Sequence, residues 1–106
     1  MKKQTNKIDN ATKRDRFLTT LGLAKRAGKL IIGWDRISDY TGSIETIFIS
    51  SDASERTIKN AGKRSETVLI KRSMVAVGSA LGIHRAAVVA VTDTGFANLL
   101  KSKLNE

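Results

Sequence analysis

Apolar residues fall along this chain in two alternating rhythms. Phe17, Leu18, Leu21 and Ala24 recur at the interval of one helix face, and Gly28 stops the pattern. Thr12-x-x-Asp15 resembles a capping box and opens this first helix. Leu30-Ile31-Ile32 is a short strand, and Trp34 to about Tyr40 a short helix closed by the turn Thr41-Gly42-Ser43. The cycle then repeats. Ile44 and Ile47-Phe48-Ile49 form a second strand, an apolar run that expects cover on both faces. Asp52 and Glu55 fit the N-cap and N3 positions of a helix that runs to about Lys63 with Ile58 and Ala61 inward. Thr67 to Ile70 is a third strand. Ser73 caps a helix carrying Met74, Val77 and Leu81, with Gly82 as its stop. Ala86 to Val91 is a fourth strand, and Thr92-Asp93-Thr94-Gly95 starts a last helix bearing Phe96, Leu99, Leu100 and Leu104.

The order αβαβαβαβα predicts an α/β fold, a three-layer α/β/α sandwich around a mostly parallel four-stranded sheet. Residues 1–13 are polar and read as a mobile basic tail; residues 14–106 read as a single domain, with no proline, repeat or linker to divide it.

Charge changes the picture most. The 106 residues carry 19 Lys and Arg against 10 Asp and Glu, a net charge of +9. Residues 17–106 alone hold thirteen positive and eight negative side chains, so the surface is basic without the tail. A polyanion such as nucleic acid is the partner this balance favours; a merely soluble surface is the plainer alternative. No segment pairs a lysine-rich face with a large apolar one, which argues against an anionic membrane, and no apolar run reaches spanning length. The absence of cysteine excludes disulfides and thiolate metal sites, and one histidine builds no zinc site. Neither cofactor nor metal is expected. With no secretory pattern at the start, the expected location is the cytoplasm.

The stretch from Gly22 to Asp35 is the densest in chemistry. It runs from a helix end through a glycine stop and a strand to a second glycine and a new helix, with Lys25, Arg26 and Lys29 close in sequence. A helix start entered through glycine offers free N–H groups and a positive dipole end to a phosphate. Trp34 either staples its helix to the core or stacks on a base. Ile83-His84-Arg85 lies in a tight loop; Ile83 either packs beneath it or presses on an unstacked base while the cations hold phosphate. Arg56, Lys59, Lys63 and Arg64 form a basic stripe at helical spacing, most simply a solvated face, and Lys71-Arg72 at a strand end could join its field. Asp93-Thr94-Gly95 matches the aspartic-protease tripeptide but precedes a helix, where an N-cap explains it. His84 has no acid or nucleophile partner visible in sequence, so no catalytic set emerges and the protein is not expected to be an enzyme.

Two blocks resemble a known family. Gly28-Lys-Leu-Ile-Ile-Gly33 leading into a short helix, and Val77-Gly-Ser-Ala-Leu-Gly-Ile83 before Ala86-Ala-Val-Val-Ala-Val91, are similar to the L-seven-Ae family of ribosomal and kink-turn RNA-binding proteins. Gly22-Leu-Ala-x-Arg26-Ala27 and the ending from Val89 to Asn98 place the likeness nearest the small bacterial YlxQ-like branch. The resemblance covers about residues 17–104. It implies an α/β/α sandwich with a mixed rather than parallel sheet, and RNA contacts at Gly33 to Asp39 and at Ile83-His84-Arg85. In family members the first place reads tandem sheared G·A pairs and the second covers flipped-out bases. Gly33 is kept. Asp35, Arg36 and Asp39 stand where kink-turn binders carry Asn, Glu and Lys, which exchanges donors for acceptors and a cation for an anion.

The expected RNA-binding residues are therefore Lys29, Gly33, Trp34, Asp35, Arg36, Asp39, Ile83, His84 and Arg85, on a protein monomeric when free that meets ribosomal or other structured RNA. The alternatives are a protein-interaction module that has lost kink-turn recognition and an RNA-substrate module related to ribose methyltransferases.

Overall fold

The computed structural model describes residues 15–105. Five helices and four strands alternate in it: α1 Arg16–Arg26, β1 Leu30–Ile32, α2 Trp34–Asp39, β2 Thr46–Ile49, α3 Glu55–Arg64, β3 Thr67–Leu69, α4 Met74–Leu81, β4 Val88–Val91 and α5 Thr94–Ser102. The basic tail expected over residues 1–13, and Thr12 of the expected capping box, lie outside the described residues.

The strands form one mixed sheet in the order β1-β4-β2-β3. β2 and β3 are parallel, while β4 runs antiparallel to both β1 and β2. The mostly parallel sheet expected from element order is thus corrected, and the mixed sheet implied by the family resemblance is what the fold has. The cause is the short α4. Ala86 N–H donates to the carbonyl of Met74, at the helix start, so the chain doubles back along α4 and re-enters the sheet at the edge it had left. β1, β2 and β3 all point one way, and only β4 is reversed.

β2 and β4 are buried along their whole length, as the apolar runs Ile47-Phe48-Ile49 and Val88–Val91 require. Period-two alternation sends Phe48, Val89 and Val91 to one face, where Phe17, Leu21, Val77, Leu81 and Leu100 of α1, α4 and α5 cover them. Ile47, Ile49, Val88 and Ala90 face the other way, under Ile37 of α2 and Ala61 of α3. Phe17 and Phe48 meet edge-on with ring centroids 5.2 Å apart.

Helix ends follow the sequence with two corrections. Ser73 and Asp93 cap α4 and α5 as expected, accepting from the amides of Ala76 and Phe96. Asp15 itself caps α1, accepting from Leu18 N–H at 3.0 Å. Ser54, rather than Asp52, caps α3; Asp52 instead accepts from Met74 N–H and ties the start of α4 to the β2–α3 loop. Gly28 and Gly82, both with φ near +74°, close α1 and α4 through the same left-handed stop.

At the far edge of the sheet, exposed Glu66 accepts from Lys101 of α5 at 2.6 Å and from the Thr46 hydroxyl at 2.9 Å. The Lys101 bond leads the causes that hold its carboxyl below the usual range, followed by the Thr46 bond. A depressed carboxylate stabilises the fold above its unfolded pKa and loses that contribution as pH falls through its folded one. Glu66→Gln is therefore expected to lower the melting temperature slightly at pH 7 and not at all near pH 2, as paired thermal melts at both pH values would show.

Candidate nucleic-acid interface

The sheet direction places four connections at one edge. β1 runs into α2 at Gly33, β2 into the 50–54 loop, β3 into residues 70–73, and β4 is entered there from the 82–87 loop. Gly33 N–H donates to Val88 O at 3.1 Å, and Ser50 donates through its amide to Ala87 O and through its buried hydroxyl to Ala86 O. Ser51 N–H reaches Arg72 O. These bonds sew together loops that are far apart in sequence.

α2 starts at this edge without a side-chain cap. Gly33 takes φ +93°, a conformation that side chains strain to adopt, and turns the chain from strand to helix in one residue. The amides of Trp34, Asp35 and Arg36 in the first turn have no intrahelical acceptor. Ile37 is fully buried and fixes the helix to the sheet. Trp34 is half-buried against the same cluster, so the packing role anticipated for it is present. Asp35, Arg36 and Asp39 are exposed. Asp35 sits at the positive end of the helix, and Asp39 is its last residue.

The neighbouring loop is held at both ends. Gly82 and Ile83 donate to Ser79 O and Gly78 O, and Ala86 N–H binds the other end of α4. Between these points the backbone of His84 and Arg85 crosses directly over Gly78, whose missing Cβ would stand 2.5 Å from Arg85 Cα. Ile83 in this loop is 38% exposed, and His84 and Arg85 are exposed too. Part of Ile83 is covered and part is open.

Lys29 does not join this edge. It accepts from Thr92 N–H at the opposite end of β1, about 13 Å away at strand rise. The cations near it in sequence are also elsewhere. Lys25 donates to Leu81 O at 2.5 Å, and Arg26 lines a groove of about 650 Å³ between α1 and α4 with Leu18, Leu23 and Ala80. Three residues of strand separate these charges from the start of α2. Arg72, expected to add to a basic field, is buried in an ion pair with Asp15. Lys71 beside it is exposed at the edge.

Sequence reasoning gave no role to Ser50 or to Gly78 as a crossing point and placed Asp52 at the N-cap of α3; in the fold all three shape the edge. Only Gly78 carried a signal: a glycine inside an apolar helical pattern marks a close approach. Among the described residues no group of three or more His, Cys, Asp and Glu could hold a metal ion, and no helix is long and apolar enough to cross a membrane.

The edge thus brings the uncapped start of α2 and the exposed Arg36, His84 and Arg85 together with Ile83 on a small α/β/α sandwich. No family model matches the chain. It is 33% identical over 91 residues to the RNA-binding protein YlxQ of Bacillus subtilis (strain 168), across 80% of this chain and 91% of that one. Its fold matches a solved structure of a protein with unknown function from Bacillus halodurans C, with a TM-score of 0.77, 27% identity, and coverage of 87% of this chain and 99% of that one. The chain belongs to the YlxQ family.

Proposed function

We propose that the protein is a non-catalytic binder of structured RNA, ribosomal or otherwise, acting as a cytoplasmic monomer through the edge built from α2 and the 82–87 loop. The observation that carries this reading is the meeting of two unlike halves. The uncapped first turn of α2 and Arg36 suit phosphate and guanine acceptors, while Ile83 flanked by His84 and Arg85 suits an unstacked base and its backbone. The naming of a 33% identical relative as RNA-binding supports the same partner.

Kink-turn preference turns on Asp35, Arg36 and Asp39. The Arg36 guanidinium has donors only, so it reads a guanine through O6 and N7 rather than through its amino group. The test is a titration with a kink-turn RNA, the same RNA with its G·A pairs replaced, and a plain duplex, at several salt concentrations. With about five phosphates neutralised, log K is expected to fall against log salt with a slope of about −3.5 to −4.5. Preference for the intact kink would extend the reading to the family's G·A recognition. Equal, salt-sensitive binding to all three would make the protein a general structured-RNA binder. Absence of binding would overturn the proposal and favour a protein-interaction module, for which exposed Asp35 and Asp39 would be the contacts.

A further inference from the structure

We infer that the outward face of α3 is a second docking surface for the same RNA, seating the sugar-phosphate backbone of a duplex segment beside the edge; the inference rests on the RNA-binding reading above. α3 starts at that edge and packs next to α2 on one face of the sheet. Arg64 donates to the carbonyls of Tyr40 and Gly42, which ties the end of α3 to the turn after α2. That use withdraws Arg64 from the basic stripe and leaves Arg56, Lys59 and Lys63, all exposed. Between described residues the ion pairs are Arg72–Asp15 and Lys101–Glu66, so none of these three cations is held by one. At helical rise they span about 10 Å, the length of about three successive phosphates of one strand.

Gly62 supplies the independent observation. It is an exposed position in the body of a helix, and glycine there weakens the helix relative to alanine. Nothing in the protein's own packing asks for it. Its φ is not in the left-handed range, and a Cβ at this position would meet no atom within 4 Å. Gly62 lies three residues from Lys59 and one from Lys63, on the flank of the stripe. A bare backbone beside three free cations is what the close approach of a bulky polyanion needs, and Lys71 continues the positive charge towards the edge.

The test measures affinity for a kink-turn RNA with a long flanking stem across a salt series, together with thermal melts. Four proteins are compared: wild type, Arg56→Gln/Lys59→Gln/Lys63→Gln, Gly62→Ala, and the edge variant Arg36→Gln/Arg85→Gln. The triple variant is expected to keep its melting temperature and to lose about 2–3 from the salt slope. Gly62→Ala is expected to melt about 2–6 °C higher and yet bind about threefold more weakly. A purely structural residue would not separate stability from binding in that direction. Should wild type bind with a slope that the triple variant leaves unchanged, while the edge variant weakens it, the second surface is overturned and the stripe passes to an acidic protein partner. Wild type that binds no RNA overturns both readings.

Discussion

Gly78→Ala is expected to cost about 1–3 kcal/mol of stability and to weaken RNA binding beyond what that loss explains. The added methyl would stand 2.5 Å from Arg85 Cα, 2.6 Å from Arg85 N and 2.8 Å from the His84 carbonyl carbon. All three are backbone atoms, so no side chain can swing aside to admit it. α4 cannot retreat, because Val77 and Leu81 are locked in the core beneath it. The loop has to lift instead, between anchors at Ile83 and Ala86 that hold its ends. Alanine's better helix propensity, worth about 1 kcal/mol, offsets part of the strain. Binding suffers because Ile83, His84 and Arg85 are carried on the displaced segment. Urea unfolding gives the first quantity and titration with the RNA at a temperature where the variant is fully folded gives the second. Native-like affinity in a folded variant would show that the crossing over Gly78 does not set the recognition loop.

The same glycine marks the boundary between what the chain's pattern discloses and what only the assembled sheet does. Element order, the apolar faces and the stops at Gly28 and Gly82 are local, and each is readable from residues within about two turns of one another. Strand direction is not local. Whether α4 crosses the sheet or returns depends on a bond between Ala86 and Met74 that no periodicity encodes. Charge is misread for a related reason. Arg56, Lys59 and Lys63 stay exposed as helical spacing predicts, but Arg64 and Arg72 spend their donors on backbone carbonyls, and Arg72 also on a carboxylate, from distant segments. Lys29 is four residues from Gly33 in sequence and at the other edge in space, because an extended strand separates neighbours that a helix would keep together. The two halves of the edge, Gly33 to Arg36 and Ile83 to Arg85, were each legible as helix start and tight loop. Their meeting follows only from β1 pairing with β4.

Asp15→Ala is expected to be among the most damaging single substitutions in the fold, costing about 2–4 kcal/mol and lowering the melting temperature by about 10–25 °C. Two functions converge on this carboxylate. Its Oδ1 accepts from Leu18 N–H and from Arg72 Nη2, both at 3.0 Å, and its Oδ2 accepts from Arg72 Nε at 3.1 Å. The N-cap alone is worth about 1 kcal/mol. The larger share comes from Arg72, whose side chain is 8% exposed and whose guanidinium lies 4.8 Å above the Phe17 ring. Without the carboxylate, a nearly buried cation keeps the Leu104 carbonyl at 2.6 Å but loses a two-pronged, oppositely charged partner. The partial exposure of Asp15 keeps the cost below that of a fully buried pair. Two variants separate the contributions. Asp15→Asn retains an N-cap oxygen and should lose only the ionic part. Asp15→Ala combined with Arg72→Met places an apolar chain of similar length against Phe17, and it should be more stable than Asp15→Ala alone, since removing both members of this pair is cheaper than removing the carboxylate only. A double variant no more stable than the single one would assign the loss to the cap and to packing around α1 rather than to the ion pair.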